Sequence, residues 1–180
     1  MGRDKLLLEI GGASLVERVA GALSARCEEV ILAGAGPAPP GVRAVGDDRP
    51  GQGPLAGMEA GLAAAHHPLV FVAAGDMPFL HPELVDYLLK VAQSRGSLAA
   101  VPDDGRGTHP LCAAYSRGVL PHLRSALDGG VRAAREFLRL LDGVVYVPEA
   151  ELRRMGDPDL LLMNVNSPED LARARGLVGA

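Results

Sequence analysis

Short apolar runs recur along the chain, separated by longer stretches in which apolar positions return every three or four residues. The runs "EVILAGA", "LVFVAAGD", "SLAAVPD", "PLCAAYS" and "GVVYVPE" are rich in Val, Ile, Leu and Ala and too short for helices, so they predict buried strands. Between them, "SLVERVAGALSAR", "PLAGMEAGLAAAHH", "PELVDYLLKVAQS", "RGVLPHLRSAL", "RAAREFLRLL" and "PEDLARARGL" carry helical period. Strand and helix alternate, which predicts an α/β fold with a mostly parallel sheet and helices on both faces. The opening "MGRDKLLLEIGG" reads as a polar start that runs at once into an apolar strand.

Two helix starts carry their caps in the sequence. Ser14 with Glu17 forms a capping box, and Ser167, Pro168, Glu169 and Asp170 supply an N-cap, a first-turn proline and first-turn acids. The segment "AGPAPPGVRAVGDDRPGQGP" is rich in Pro and Gly and predicts a long surface loop within one domain.

Composition narrows the picture further. A chain of 180 residues fits a single domain, and 48% hydrophobic with 22% charged residues suits a folded protein rather than a disordered one. The formal net charge of -4 gives no basic field for nucleic acid or an anionic membrane surface. No apolar run approaches the ~20 residues that cross a bilayer, and the start lacks a secretory pattern, so the expected location is the cytoplasm. Cys27 and Cys112 are far apart, sit in apolar surroundings and read as buried free thiols.

Chemistry is expected where strands stop, at the carboxyl edge of the sheet. There "LVFVAAGD" delivers Asp76, a carboxylate suited to Mg²⁺ or, alternatively, to capping a turn. In "DDRPGQGPLAGM", Gly51, Gly53 and Gly57 let backbone approach a ligand and Pro54 begins a helix, although such glycines also make plain tight turns. Asn164 and Asn166 in "NVNSPEDL" share a side if extended, where they either hold a ligand or turn the chain into its last helix. His109 follows a polar loop, with no Ser/His/Asp or Cys/His set to make it a base. Lys5 is one of only two lysines and sits between a glycine turn and an apolar segment, where a compact ammonium can meet phosphate; Lys90 reads as solvated helix surface.

In this order, "MGRDKLLL", "DRPGQGPLAGM", "AGDMPFL", "HPLCAAYS", "REFL" and "NVNSPEDL" resemble the molybdenum cofactor guanylyltransferase family almost end to end. The resemblance implies a three-layer Rossmann-like nucleotidyltransferase fold over residues 1–180 and transfer of GMP from Mg-GTP to the terminal phosphate of molybdopterin, with release of pyrophosphate. It also implies contact sites. Lys5 and Asp76 would be catalytic, with Asp76 the Mg²⁺ ligand. Gly2, Lys5, Asp47 or Asp48, Gly53, Pro54, Leu55 and Asp76 would bind the nucleotide, and His109, Asn164 and Asn166 would face the acceptor.

The family opens with a strand and Leu-Ala-Gly-Gly-x-Ser-x-Arg-Met-Gly-x-Asp-Lys, and Met1, Gly2, Asp4 and Lys5 match only its tail. The domain is therefore expected to be N-terminally incomplete, and a start assigned at an internal Met is favoured over true shortening. In "ILAGAG", Ala35 and Gly36 stand where the family often carries a polar Asn. The rivals are a CTP-dependent cytidylyltransferase acting on the same cofactor and a non-catalytic nucleotide-binding relic. Other cofactor-biosynthesis or molybdoenzyme-maturation proteins would be transient partners, with no nucleic acid and no membrane.

Overall fold

The computed structural model describes residues 3–34, 36–46, 48–49 and 51–178, so Gly2, Ala35 and Asp47 lie outside the described residues. The chain opens with a 3₁₀ turn, Arg3–Leu7, followed by a small hairpin of β1 (Glu9–Ile10) and β2 (Ala13–Ser14). This corrects the expected opening strand. Gly11 and Gly12, at φ 61° and 80°, form a two-residue hairpin turn that reverses the chain before a longer strand develops. Helix α1 (Leu15–Ser24) then starts on the expected capping box: Ser14 Oγ accepts from the Glu17 amide, and the Glu17 carboxylate accepts from the Ser14 amide at 2.7 Å.

Next come β3 (Ile31–Ala33), β4 (Arg43–Val45), α2 (Pro54–Ala64), β5 (Leu69–Ala73), α3 (Pro82–Arg95), β6 (Ala99–Asp103) and β7 (Cys112–Ser116). The chain continues through α4 (Leu120–Asp128), α5 (Ala134–Leu138), β8 (Val144–Pro148), α6 (Glu149–Leu152), α7 (Pro158–Leu161) and α8 (Pro168–Val178). All five strands and all six helices read from the periodicity are present. The Pro/Gly-rich segment is not wholly loop, because Arg43–Val45 pairs in parallel with β3.

The main sheet has the order β5-β7-β6-β8, with β6 parallel to β8 and β7 antiparallel to both of its neighbours. Three strands thus run one way and β7 is reversed. The cause is the connection: the segment between β6 and β7 is too short for the crossover that parallel neighbours require. Strand alternation then sends Ala100, Cys112 and Ala114 into a core with α3. Ala99, Val101, Ala113 and Tyr115 enter a second core, with α2, α4 and α5. The result is three layers.

A third cluster of Ile10, Leu15, Val165 and Ala174 joins the opening hairpin to α8. Cys112 is buried and Cys27 half-buried, both as free thiols. Burial pushes both thiols up, Cys112 to about 12. Among the described residues no helix is long and apolar enough to cross a membrane.

Candidate nucleotide and acceptor site

Strand β5 ends in the turn "AAGDMPFL". Met77 and Leu80 are buried anchors, and Leu80 N–H closes the turn on Met77 O at 3.1 Å. Between the strand and these anchors, Asp76 stays at the mouth. Its carbonyl accepts from Val165 N–H at 2.9 Å, which brings "NVN" against the strand end.

Lys5 completes the cluster. Its Nζ lies 2.5 Å from Asp76 Oδ2 and donates to Asn166 Oδ1 at 2.8 Å. The 3₁₀ turn sets that reach, with Leu8 N–H bonded to Lys5 O at 3.2 Å while Leu8 packs against the third core cluster. Three expected residues, separated by up to 161 positions, therefore meet at one point. Among the described residues, Asp76 Oδ1 is buried and has no hydrogen-bond partner. A buried carboxylate oxygen left unpaired is costly unless a ligand satisfies it, and its acceptor-only chemistry suits a cation.

Helix α2 begins at Gly53, whose φ of 79° lies in the region that favours glycine. Among the described residues no side chain caps this helix, and Pro54 has no N–H to offer, so the open helix start faces the loop before it. Leu55 is wholly buried in the core, leaving only its backbone for a ligand. Asp48 is exposed on that loop. Arg49 ties the loop down, with Nε 3.0 Å from Glu59 of α2 and Nη1 2.7 Å from Asp128 of α4. The hydrogen bond to Asp128, above all, raises the Arg49 pKa.

Beside this mouth lies a cleft of about 480 Å³ lined by Pro54, Met77, Thr108, His109, Arg135 and Asn164, among others. His109 and Asn164 thus share a wall, while Asn166 sits with Lys5; the two asparagines serve different groups. Asn164 donates to Leu162 O at 3.2 Å. Asp104 Oδ2 lies 3.1 Å from His109 Nε2, close in distance but out of hydrogen-bonding alignment.

The sequence reading missed Asp104, which is buried and accepts from the Arg106 and Gly107 amides at 2.9 and 3.0 Å and from the Arg106 guanidinium. Burial opposes its charge, but those hydrogen bonds and His109 outweigh it and hold the carboxyl at about 2. The "DDGRG" turn was the available signal, since Asp at a turn start commonly binds amides further on. Arg135 was also missed; its Nε donates to Thr108 O at 3.0 Å and its guanidinium borders the cleft.

The family described as "MobA-like NTP transferase domain" matches residues 1–144. A probable molybdenum cofactor guanylyltransferase of Pelotomaculum thermopropionicum is 39% identical over 178 residues, covering 97% of this chain and 85% of that protein. Among solved structures, the molybdopterin-guanine dinucleotide biosynthesis protein A of Archaeoglobus fulgidus superposes with a TM-score of 0.76 at 28% identity, covering 97% of this chain and 90% of that one. The 2-C-methyl-D-erythritol 4-phosphate cytidylyltransferase of Thermus thermophilus reaches a TM-score of 0.76 at 22% identity over 99% and 96% of the two chains, a likeness of fold alone.

Proposed function

The chain belongs to the MobA-like NTP transferase family and is a nucleotidyltransferase, and from that premise we propose that it transfers GMP from GTP to the terminal phosphate of molybdopterin. The observation that carries the reading is Lys5 Nζ held between Asp76 and Asn166 at the carboxyl end of β5. An ammonium parked on a carboxylate is a charge in waiting. When the triphosphate arrives, Lys5 turns to it, and Asp76 is freed.

The residues present fit a divalent cation. Among the described residues, Asp76 Oδ1 is a buried oxygen without a partner, and no group of three or more His, Cys, Asp or Glu forms a closed cage. That combination suits Mg²⁺, which is commonly held by one or two carboxylates together with substrate phosphates. Asp76 would hold it, and the bound ion would supply charge neutralisation at the phosphates.

The reaction needs alignment more than a base. A phosphate monoester has a second pKa of ~6 and is already a dianion at neutral pH, so its oxygen attacks the α-phosphorus without surrendering a proton. The bond to the β-phosphate oxygen breaks in line, and pyrophosphate leaves carrying the charge that Lys5 offsets. His109, Asn164 and Arg135 border the cleft in which the acceptor would lie, and Asn166 steers Lys5. The Gly53–Pro54–Leu55 helix start would border guanine, with Leu55 acting through its backbone. Asp48, exposed on the loop that Arg49 clamps, or its sequence neighbour Asp47 would face the nucleoside.

Pyrophosphate release from Mg-GTP and molybdopterin tests this, with CTP as the competing donor. Turnover with GTP and little with CTP is the expected result; preference for CTP would move the chain to the cytidylyl reading. Asp76→Asn should lower metal-dependent turnover by roughly a hundredfold or more with an unchanged circular dichroism spectrum. Near-normal turnover would remove Asp76 from the metal.

A further inference from the structure

The cleft of about 480 Å³ beside Asp76 is unbalanced in charge. Among the described residues that line it none is acidic, and Arg135 is the only arginine or lysine. Most of the remaining wall is apolar, through residues such as Pro54, Met77, Leu111 and Ala134. A cation set in such a wall has little to neutralise it, so the space favours an anion.

The β6–β7 turn holds this arginine in place. Arg135 Nε donates to Thr108 O at 3.0 Å. A Cβ built on Gly107 would stand 3.3 Å from Arg135 Nη2, 3.4 Å from Cζ and 3.5 Å from Nη1. An atom approaching the rim of a guanidinium between its two Nη atoms meets Cζ later than either of them. The near-equal distances therefore mean that Gly107 lies against the flat face. The turn is itself anchored, by the bridge between Asp103 and Thr108 and by the Gly107 amide, which donates to buried Asp104 at 3.0 Å.

What remains is the Nη edge. Among the described residues Arg135 has no carboxylate partner and no hydrogen bond besides the one to Thr108. Arg106, on the same turn, shows the alternative, since its guanidinium is paired with both Asp104 and Asp159. An oriented guanidinium with both Nη groups open presents two parallel N–H donors, spaced to match two oxygens of a phosphate.

We infer that Arg135 binds the phosphomonoester end of the acceptor, each Nη donating to one of its oxygens, with Gly107 as the platform and Thr108 as the tether. The inference rests on the transferase reading above and deepens it. A phosphomonoester has three non-bridging oxygens, so two held by Arg135 leave the third to attack. Met77, which follows Asp76, and Asn164 line the same cleft, so that third oxygen lies on the side of the nucleotide. Gly107 is a positioning residue that acts through Arg135.

The test is phenylglyoxal labelling of the intact chain, read at Arg135 by peptide mass spectrometry, with inorganic phosphate as the probe. Phosphate at ten times its Kd should slow labelling of Arg135 about tenfold and leave Arg106 unchanged, and Mg-GTP should leave Arg135 open. In turnover, Arg135→Gln should raise the KM for molybdopterin about tenfold or more, with a smaller change in kcat and Mg-GTP affinity unaltered by calorimetry. Arg135→Lys, which keeps the charge and loses the two-pronged geometry, should recover only part of that loss. Gly107→Ala should raise the same KM, because its Cβ displaces the guanidinium. The inference is overturned if phosphate leaves Arg135 labelling unchanged, if Arg135→Lys matches the parent, or if Mg-GTP protects Arg135 and Arg135→Gln weakens Mg-GTP binding, which gives the donors to the nucleotide. A chain that turns over molybdopterin with neither GTP nor CTP sinks the transferase reading alone. Phosphate protection needs no turnover and no variant, and it then still supports Arg135 as the holder of another phosphomonoester acceptor.

Discussion

Lys5 and Asp76 show how little the site spends on holding itself together. Their contact is 2.5 Å long, yet each side chain keeps 18% and 17% of its exposure, so water and ligand reach both groups. Lys5→Met keeps the stem and removes the charge. It should weaken Mg-GTP binding by about tenfold or more, measured by calorimetry, because a charge-assisted contact to phosphate is lost. Binding unchanged by the substitution would assign Lys5 to structure. Asp104 contrasts with that pair: buried, and bonded to two amides and a guanidinium, it fixes the turn that carries His109. Asp104→Asn should cost about 1–3 kcal/mol in denaturant unfolding, since an amide cannot accept from all of those donors. If His109 lines the acceptor path, the same variant raises the KM for molybdopterin more than it lowers kcat.

At the level of elements, local signals were the legible ones. Ser14 and Glu17 announced the start of α1, and the bonds are there; Ser14→Ala should lower stability by about 1 kcal/mol, read as a shift of the urea midpoint at constant slope. The α8 start read equally well, with Asp170 accepting from the Asn166 and Ser167 amides at 2.9 Å. β4 was hidden because Arg43–Val45 is only three residues long and two of them are exposed, so no apolar run marks it. The opening hairpin was hidden for another reason: "LLLEI" looks like one strand until Gly11–Gly12 is read as a hairpin turn. In the candidate site, Asp76 was visible at the end of an apolar strand, Lys5 ahead of an apolar segment, and Asn166 by its spacing from Asn164. Their meeting depends on the Val165–Asp76 backbone bond, which no local pattern encodes. Nor could periodicity tell that Leu55, in a promising glycine-rich motif, points wholly into the core.

At the scale of the molecule, two carboxylates clamp opposite parts of the sheet and make its acid stability predictable. Glu29 joins the leading ends of β3 and β5; the His66 amide, with Arg43, holds its carboxyl at about 2 against 4.5 unperturbed, despite some burial. Asp104 secures the β6–β7 turn and lies at about 2 against 3.8. Both groups bind protons more weakly folded than unfolded. Their stabilisation is therefore complete above about pH 4.5 and drains away as the pH falls to about 2. For Asp104 the integrated effect is about 2 kcal/mol; for Glu29, nearer solvent, screening makes the effect smaller than its shift implies. Urea unfolding followed from pH 7 to pH 2 should give a nearly level free energy down to about pH 5 and a steep fall below it. Asp104→Asn, already weakened at neutral pH, should lose less on acidification than the parent, so the two curves converge near pH 2. Parallel curves would mean that Asp104 keeps its proton affinity on unfolding, and that the turn is held by something other than its charge.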